Sequence, residues 1–449
     1  MESTSDPEQY PVKKTPAAGV PGWDTERFLG SECEYLTEYL DGGLCPIHIG
    51  DVLGGQDLLD GEKRSFRVVG KLGRGSYSTV WLGKDFNLDT YVAIKVLRRE
   101  HSTIDNSELS ILRKLDKLRS AFFHTHTLTG NRFLCLAQKP LGSTLGERLD
   151  ARISEPNDIK SLTELIRVLL MKVLDFHSKG ICHGDISPNN VALGAHQEAF
   201  TEAALNETFE EDEESNVRLI YPPDPSSLPP LPAHLPRYLL RHRRSPLKTD
   251  ASNMSAVDII DFGKGFETPS KKGVLGTSYY AAPELDRDGE NTATMKSDLW
   301  SLGCVFAYVA SDSYDLFEGC DETWYTKECS HEAQLSLIEN FLSETSFLEQ
   351  EPEYRDTLAQ LIHSLVRADP KERNLEEAME LVRRLEQLSG ISLSTKESYE
   401  PISPVSNYSL SSIWKPHTRQ AMISMKFSDL PETPNVVNSS TQMPLESHG

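Results

Sequence analysis

The hydrophobic pattern of this chain changes its period once, and that change limits the folds that the chain can adopt. Between residues 67 and 97, β-branched residues and glycine-rich turns alternate in the segments RVVGKLG, STVWLG and YVAIKVL, as is typical of antiparallel strands. From Asp158, in DIKSLTELIRVLLMKVLDFHSKG, apolar residues recur every three to four positions, which predicts a helix. We therefore expect an α+β protein with a small β-rich N-terminal lobe and a larger helical C-terminal lobe.

The same periods predict the elements around this change. Gly180 follows the basic Lys179 and is a suitable end for the long helix. The other predicted elements are a helix near 106–118, strands near 122–128 and 132–138, and helices over 296–310 and 356–388.

Composition excludes several classes of protein. The chain has 46 basic and 68 acidic residues and a formal charge of −22, which disfavours direct binding of nucleic acid through a broad basic surface. The sequence contains no run of eighteen apolar residues, so we expect no membrane span. The start MESTSDPEQYPVKK lacks the apolar core of a secretory signal. The seven cysteines form no C-x-x-C pair, so we expect free thiols in the cytoplasm or nucleus. We also expect a monomer.

Low-complexity segments set the predicted boundaries. Within the helical lobe, residues 195–255 contain an acidic run, a proline-rich stretch and the basic RYLLRHRRSP, a composition that favours a disordered insertion over a docking element. The whole chain is then divided into a disordered lead at 1–20, an extension packing on the next domain at 21–66, a β-rich lobe at 67–142, a helical lobe at 143–390 and a disordered tail at 391–449.

A glycine-rich hairpin lies between the first two predicted strands, in LGRGSYSTV. Glycines here let the backbone approach phosphates closely, because no side chain stands in the way. The third glycine of a G-x-G-x-x-G pattern is replaced by Ser78, and the hairpin alone is a weak signal. The residues predicted to contact a nucleotide here are Leu72, Gly73, Arg74, Gly75, Ser76 and Val80.

The next strand carries VAIK, in which Ala93 leaves room for an adenine ring and Lys95 can reach phosphates. A lysine that ends an apolar strand is ordinarily a surface residue. Here the following helix carries Glu108, and a Lys95–Glu108 pair would hold the ammonium group in place. Glu100 is the competing partner, but it precedes the helix.

Three polar groups with roles in phosphoryl transfer follow the long helix. In HGDISPNN, Asp185 is positioned as the base that orients a substrate hydroxyl, and Asn190 as a ligand of Mg²⁺; His183 is expected to be structural. In VDIIDFG, an apolar strand ends in Asp261, which would bind Mg²⁺ that bridges the phosphates of ATP.

Three later motifs describe a platform for a polypeptide. Ala282-Pro283-Glu284 is followed by SDLWSLG, with Asp298 at the start of an apolar helix, and by RADPKERN with Arg373. An unpaired buried carboxylate is costly, so we predict that Glu284 pairs with Arg373.

Seven motifs in this order make the chain resemble the eukaryotic protein kinases, over about 67–388. YLDGGLCPIHIGDVL, LGRGSYSTVWLG and LPPLPAHLPRYLLR resemble in particular the fungal branch of the SR-protein kinase (SRPK) family. The resemblance implies the bilobal protein-kinase fold, use of ATP and Mg²⁺, and phosphorylation of Ser/Thr residues in a protein substrate. A basic substrate, or one rich in arginine–serine repeats, is a further hypothesis from the same resemblance. It also implies an adenine hinge at Gln138, Lys139, Pro140 and Leu141.

Two residues of HGDISPNN depart from the family. Gly184 replaces an arginine that binds a phosphorylated activation loop in many kinases, so we predict constitutive activity. Ser187 replaces a lysine that contacts the γ-phosphate, and its loss slows transfer unless Lys264, Lys271 or Lys272 substitutes. We favour an active enzyme, because the base and the magnesium ligands remain.

Two alternatives stay open at this point. A small-molecule kinase of the aminoglycoside or choline kind also uses H-G-D-x-x-x-x-N, although the three later motifs argue against it. A catalytically weak pseudokinase or scaffold would bind nucleotide or a partner without transferring phosphate.

Overall fold

A computed structural model describes fourteen segments of the chain and, within them, two lobes. The predicted disordered lead, 1–20, and the predicted disordered tail, 391–449, except for residue 391, lie outside the described residues. These are 33–85, 88–115, 121–127, 129–150, 158–210, 217–219, 234–240, 247–250, 256–269, 271–272, 276–285, 292–311, 314–318 and 330–391.

The N-terminal lobe is one antiparallel sheet of six strands in the order β1-β2-β3-β4-β6-β5, with a single helix, α1. β-branched and aromatic residues in these segments favour extended backbone, and short turns place successive strands side by side. The elements are β1 (Val52–Gln56), β2 (Lys63–Gly75), β3 (Ser78–Asp85), β4 (Tyr91–Leu97), α1 (Ser107–Lys114), β5 (Ala121–His126) and β6 (Arg132–Gln138).

The two edges of this sheet meet. Beyond β1, Asp57 forms a bridge with Phe123 of β5, and the Leu58 amide donates to the Phe122 carbonyl at 2.6 Å. This contact covers the open edge of β5, which would otherwise present unpaired backbone groups. The sheet thus begins at Val52, ahead of the lobe boundary that we predicted at residue 67.

The helix α1 begins as its sequence predicts and ends earlier. Asn106 caps it, since its side chain accepts a hydrogen bond from the Leu109 amide at 3.0 Å. The regular helix stops at Lys114, although the leucine spacing predicted a helix to residue 118, and residues 116–120 lie outside the described part.

The C-terminal lobe is built around two long helices. Asp158 caps α3, since its side chain accepts hydrogen bonds from the amides of Lys160 and Ser161. The leucines of α3 face the core of the lobe. The helix α5 lies within that core, and every residue from Ser297 to Ala310 is buried. None of the described helices is long and apolar enough to cross a membrane. The helices are α2 (Leu145–Asp150), α3 (Ile159–Ser178), α4 (Glu202–Glu210), α5 (Met295–Ala310), α6 (His331–Ser343), α7 (Pro352–Leu365) and α8 (Leu375–Leu388).

Short strands and turns connect these helices and carry the polar loops. β7, β9 and β12 form one small sheet, in the order β12-β9-β7. The strands are β7 (Leu141–Thr144), β8 (Ile181–Cys182), β9 (Val191–Gly194), β10 (Val217–Leu219), β11 (Tyr238–Leu240), β12 (Asp258–Ile259), β13 (Phe266–Glu267), β14 (Lys271–Lys272) and β15 (Thr292–Ala293).

The prediction of a disordered insertion at 195–255 is wrong for its described parts. The helix α4 packs on the N-terminal sheet, where the ring of Phe209 approaches Gly70 so closely that a Cβ there would lie 2.4 Å from it. Phe200 stacks on Tyr91 with ring centroids 5.7 Å apart. Leu205 joins a cluster around the buried Leu82. The insertion leaves the helical lobe and covers part of the other lobe.

A second part of the insertion packs with the N-terminal extension. Leu235 and Leu239 form a small apolar cluster with Cys33, Tyr39 and Leu44. We call this cluster the cap.

A buried ion pair fastens the cap to the glycine-rich hairpin. The Lys71 ammonium group donates to Glu34 at 2.6 Å and to the Leu240 carbonyl at 2.8 Å. Because both charged side chains are almost fully buried, losing either would leave an unpaired charge. The extension, the insertion and β2 are therefore one packed unit.

Replacing Leu239 with alanine tests whether the cap stabilises the fold. Leu239 is 1% exposed, so Leu239→Ala should leave a cavity and lower the free energy of unfolding by about 3 kcal/mol. Urea unfolding measures this change. The matched control is Leu59→Ala, since Leu59 is 51% exposed and its loss should change stability by less than about 0.5 kcal/mol. Equal effects of the two substitutions would contradict the packing role of the insertion.

Candidate active site

The cleft between the lobes contains a lysine held by two carboxylates. Lys95 on β4 donates to both oxygens of Glu108, at 2.8 and 2.9 Å, and to Asp261 at 2.8 Å. The predicted Lys95–Glu108 pair is confirmed as a contact, and Asn106 helps to form it because its cap begins the helix that presents Glu108. Glu100, the competing partner, precedes α1 in a separate turn.

The charges of this group reinforce one another. Burial lowers the pKa of Lys95, but the carboxylates of Glu108 and Asp261 outweigh burial and hold that pKa above its ordinary value. Burial raises the pKa of Asp261, but the Lys95 ammonium outweighs burial and holds that pKa below its ordinary value. Near neutral pH the cleft therefore presents a fixed ammonium group beside an ionised carboxylate.

β2 and β3 form the glycine-rich hairpin, and β3 pairs with β4, the strand that carries Lys95. Gly73 pairs with Val80 and Gly75 with Ser78, which places the two glycines near the hairpin tip, where Ser76 is exposed. The side chain of Arg74 is engaged by the extension, since its guanidinium donates to the Cys33 carbonyl at 2.7 Å. We predicted Arg74 as a nucleotide contact. Because its side chain is occupied by this bond, the predicted contact would have to be made by its backbone.

Cross-strand register places the predicted adenine contacts on one face of the sheet. Ala93 lies directly opposite Gln138, and Lys95 lies opposite Val80. Side chains at directly opposite positions share a face. Leu72 also packs against the cluster that the insertion forms around Leu82.

The hinge begins where β6 ends. Lys139 is exposed and Pro140 is buried before Leu141 starts β7. The side-chain nitrogen of Gln138 is buried, and it has no hydrogen-bond partner within the described part of the chain. A buried donor without a partner is costly, so this amide suits a site at which a purine or another polar ligand binds.

Three side chains, one from the predicted catalytic loop and two from later in the chain, surround Asp185. Asn190 donates to the Asp185 carbonyl at 2.8 Å and lies 3.3 Å from one of its carboxylate oxygens. Thr277 donates to the other oxygen at 2.7 Å. The ammonium nitrogen of Lys264 lies 3.1 Å from Oδ2. Sequence analysis did not single out Thr277, although its position in GTSYYAAPEL, five residues before Ala282, was a usable signal.

A buried carboxylate from α5 supports this loop from below. Asp298 accepts from the amides of His183 and Gly184, each at 2.8 Å, and lies 3.0 Å from Nε2 of His177. Gly184 has a φ of 76°, a left-handed conformation that glycine adopts without a steric cost. The backbone at the head of the loop is thus fixed independently of any bound ligand.

His183 is buried in the core and supports the loop through its backbone, since its Nδ1 accepts from the Asp185 amide at 3.2 Å. Its ring contacts the Ile260 carbonyl at 3.0 Å and packs on the buried Phe262, with centroids 4.7 Å apart. Burial lowers the pKa of His183, even though Asp298 opposes that shift. A neutral, buried imidazole agrees with the structural role that we expected for it.

Asp261 and Asn190 supply oxygen ligands of the kind that Mg²⁺ prefers. Asp261 has a φ of 65° and accepts from the Gly263 amide at 3.1 Å, and about half of its side chain is exposed to the cleft. Asn190 uses its amide nitrogen on Asp185, which leaves its amide oxygen for a cation. These donors fit a magnesium ion bound with a nucleotide.

The predicted pair between Glu284 and Arg373 is confirmed and bidentate. Both hydrogen bonds measure 2.7 Å. Arg373 is completely buried, donates to the Lys296 carbonyl at 2.8 Å and lies over the ring of Trp300. The segment around Glu284 is therefore anchored to the start of α5.

Comparisons with known proteins find similarity to protein kinases. The family described as the protein kinase domain matches residues 248–383. A serine/threonine-protein kinase SRPK from Physarum polycephalum is 26% identical over 185 residues, which are 38% of this chain and 41% of that protein. For SRSF protein kinase 3 of mouse, the identity is 26% over 216 residues, or 43% of this chain and 35% of the relative.

A fungal relative shows the same degree of similarity. Protein kinase dsk1 from Schizosaccharomyces pombe is 26% identical over 205 residues, which are 42% of this chain and 36% of that protein. The matches span less than half the length of these relatives. The fold and the family match define a protein kinase domain. Within that class, this chain is a distant homologue of the SRPK kinases.

Breaking the pair between Glu284 and Arg373 should destabilise the protein strongly. Arg373→Met leaves Glu284 without its partner, and we expect the free energy of unfolding to fall by about 4 kcal/mol. Thermal or urea unfolding measures the loss. Arg383→Met is the matched control, because the pair of Arg383 with Glu380 is exposed and is expected to contribute less than about 0.5 kcal/mol. Adding Glu284→Gln to Arg373→Met should recover part of the loss; a double variant as unstable as the sum of the single ones would refute the pairing.

Proposed function

We propose that this protein is a serine/threonine protein kinase that transfers the γ-phosphate of ATP to hydroxyl groups of a protein substrate. The observation that carries the proposal is the convergence of four groups in one cleft. Lys95 contacts Asp261, Asn190 contacts Asp185, and β9 and β12 pair directly beside Asn190 and Asp261. Protein kinases use these residue types, in this order along the chain, for phosphoryl transfer.

Each group has a separate part in the proposed reaction. Lys95 binds the α- and β-phosphates, and Glu108 keeps it oriented. Mg²⁺, held by Asn190 and Asp261, neutralises charge on the phosphates when it is bound. Asp185 orients the substrate hydroxyl and accepts its proton. Thr277, which donates to Asp185 at 2.7 Å, fixes the carboxylate in the orientation needed for that transfer.

Constitutive activity is part of this proposal. Tyr280 donates to Asp315, and its carbonyl accepts from Ser301 at 2.8 Å. Together with the bond from Thr277 to Asp185, these contacts hold the described end of the activation segment without a phosphate. Gly184 offers no cation to bind one.

A basic substrate is the finer form of the proposal. One relative is named SRSF protein kinase 3, so its name gives SRSF proteins as its substrates. The present chain has a net negative charge, which would attract a basic substrate. A surface cavity of about 390 Å³ is lined by Glu318 and Glu344 beside Tyr314 and Phe341, a combination that suits long basic side chains. Most of the acidic stretch EGCDETWYTKECSHE, residues 318–332, lies outside the described residues. The described cysteines are free thiols, and we propose a monomer that acts in the cytoplasm or nucleus.

The competing candidate is a nucleotide-binding scaffold, and Ser187 in the place of the usual lysine favours it. A small-molecule kinase is less compatible with the anchored Glu284 segment, which serves to present a polypeptide.

One turnover experiment separates these functions. We expect Mg²⁺-ATP to phosphorylate a basic, serine-rich protein, with little turnover when the acceptor is absent or is a small amine. Asp185→Ala should reduce turnover about a thousandfold, whereas Asp175→Ala, which removes a partly exposed carboxylate paired with Lys179, should not. Phosphorylation of the small amines instead would support the second class of kinase. Nucleotide binding without any transfer would support the scaffold.

Constitutive activity has its own test. Protein treated with a phosphatase should turn over as fast as untreated protein, because the contacts of Thr277 and Tyr280 need no phosphate. The measurement is the initial rate before and after treatment, with mass spectrometry to verify removal of phosphate from residues 263–282. A large loss of rate would contradict the prediction.

A further inference from the structure

The position of the usual lysine in the catalytic loop is closed to the cleft. Ser187 is 1% exposed, and its hydroxyl has no hydrogen-bond partner among the described residues. A neutral, buried hydroxyl cannot neutralise charge on a phosphate. If the protein transfers phosphate, a cation from another element has to act beside Asp185.

Lys264 provides a cation at this place from a different element. Its ammonium nitrogen lies 3.1 Å from Oδ2 of Asp185, its side chain is 46% exposed, and that of Asp185 is 13% exposed. The ammonium group therefore lies at the mouth of the cleft, in contact with the proposed base. In the described part of the chain, Lys264 is the one basic side chain that forms an ion pair with Asp185.

The backbone that carries Lys264 is well anchored. Lys264 ends a short 3-10 turn, Phe262–Lys264, which starts at Asp261. Phe262 is buried against Phe176 and His183, and the Gly263 amide donates to Asp261. The turn thus holds the lysine at a fixed distance from the proposed magnesium ligand.

The other cation of the cleft is already engaged. Lys95 donates to Glu108 and to Asp261, so its charge is shared between two carboxylates. Among the described residues, Lys264 forms an ion pair with one carboxylate, that of Asp185, and an ammonium group has three donors. It can keep its bond to Asp185 and still donate to an oxygen of a phosphate.

We propose that Lys264 is a catalytic residue that takes the part of the missing loop lysine and binds the γ-phosphoryl group during transfer. The inference rests on the proposed kinase function. The substrate hydroxyl oxygen forms a bond to the γ-phosphorus while the bond from that phosphorus to the β–γ bridging oxygen breaks. The bridging electron pair leaves with ADP, and the hydroxyl proton passes to the Asp185 carboxylate. Lys264 donates to an equatorial oxygen of the group in flight and lowers its charge.

The test compares charge, not merely bulk, at position 264. Lys264→Met should lower kcat about a hundredfold, as expected for the loss of one charged donor to the transition state. Lys264→Arg keeps the charge and should retain most of the turnover. The control is Lys179→Met, because Lys179 forms a comparable, partly exposed pair with Asp175 on α3, and its turnover should stay at the wild-type level.

Moving the charge back supplies a positive test. In the double variant Lys264→Met, Ser187→Lys, the lysine stands at the usual loop position, and we expect turnover to rise at least about tenfold above that of Lys264→Met. If the crowded position 187 prevents folding, which circular dichroism would reveal, the comparison of methionine with arginine at position 264 decides the question alone. A Lys264→Met protein with wild-type kcat, or a faster one, overturns the proposal.

Binding of nucleotides gives a readout that does not depend on turnover. Calorimetry with Mg²⁺ should show that wild-type protein prefers a non-hydrolysable ATP analogue to ADP and that Lys264→Met loses this preference. An unchanged preference in the variant overturns the proposed γ-phosphate contact.

The two measurements distinguish failure of this inference from failure of the kinase function. Suppose that wild-type protein phosphorylates nothing but prefers the ATP analogue, and that this preference depends on Lys264. This result refutes the kinase function and catalysis by Lys264, and it supports the phosphate contact. Normal phosphorylation that is insensitive to Lys264 refutes this inference alone. Absence of nucleotide binding refutes both.

Discussion

The buried carboxylate of Asp298 is the interaction on which the cleft depends. It lies in the first turn of a helix with no exposed face, and it satisfies two backbone amides that would otherwise be buried without acceptors. Through these bonds the core of the helical lobe fixes the start of the catalytic loop. The hydrogen bonds of Asp298 therefore help to position Asp185 and Asn190, which follow in the same loop.

Charge in the cleft follows the same logic of mutual support. Lys95 and Glu108 come from a strand and the next α-helix, whereas Asp261 comes from a loop 166 residues after Lys95. Each of the three compensates for the burial of the others. Such a group assembles only when both lobes are folded. The arrangement links the folding of both lobes to the formation of this charged cluster.

Much of this could be predicted from the sequence, because buried charge requires a partner. Glu108 was the acid available on the helix after Lys95, and Arg373 was a base available to Glu284. Strands and long helices followed from the hydrophobic period, although α1 ended early. The contact of Lys264 with Asp185 could only be suggested, since it joins two loops whose separation depends on the packing of Phe262. For the described parts of 195–255, disorder was predicted wrongly, because the average composition hides a few apolar residues, such as Phe209 and Leu239, whose partners lie far away in the sequence.

The path of the insertion has a consequence for communication within the molecule. β9 begins just after Asn190 and leads into the insertion. The described parts of the insertion pack on the β-rich lobe through α4 and β11, and β12 then leads to Asp261. The polypeptide between the two proposed magnesium ligands, Asn190 and Asp261, is thus packed against the opposite lobe in its described parts. A protein or modification that displaced the insertion would therefore act on both proposed ligands from a distance, because the insertion is the segment that connects them.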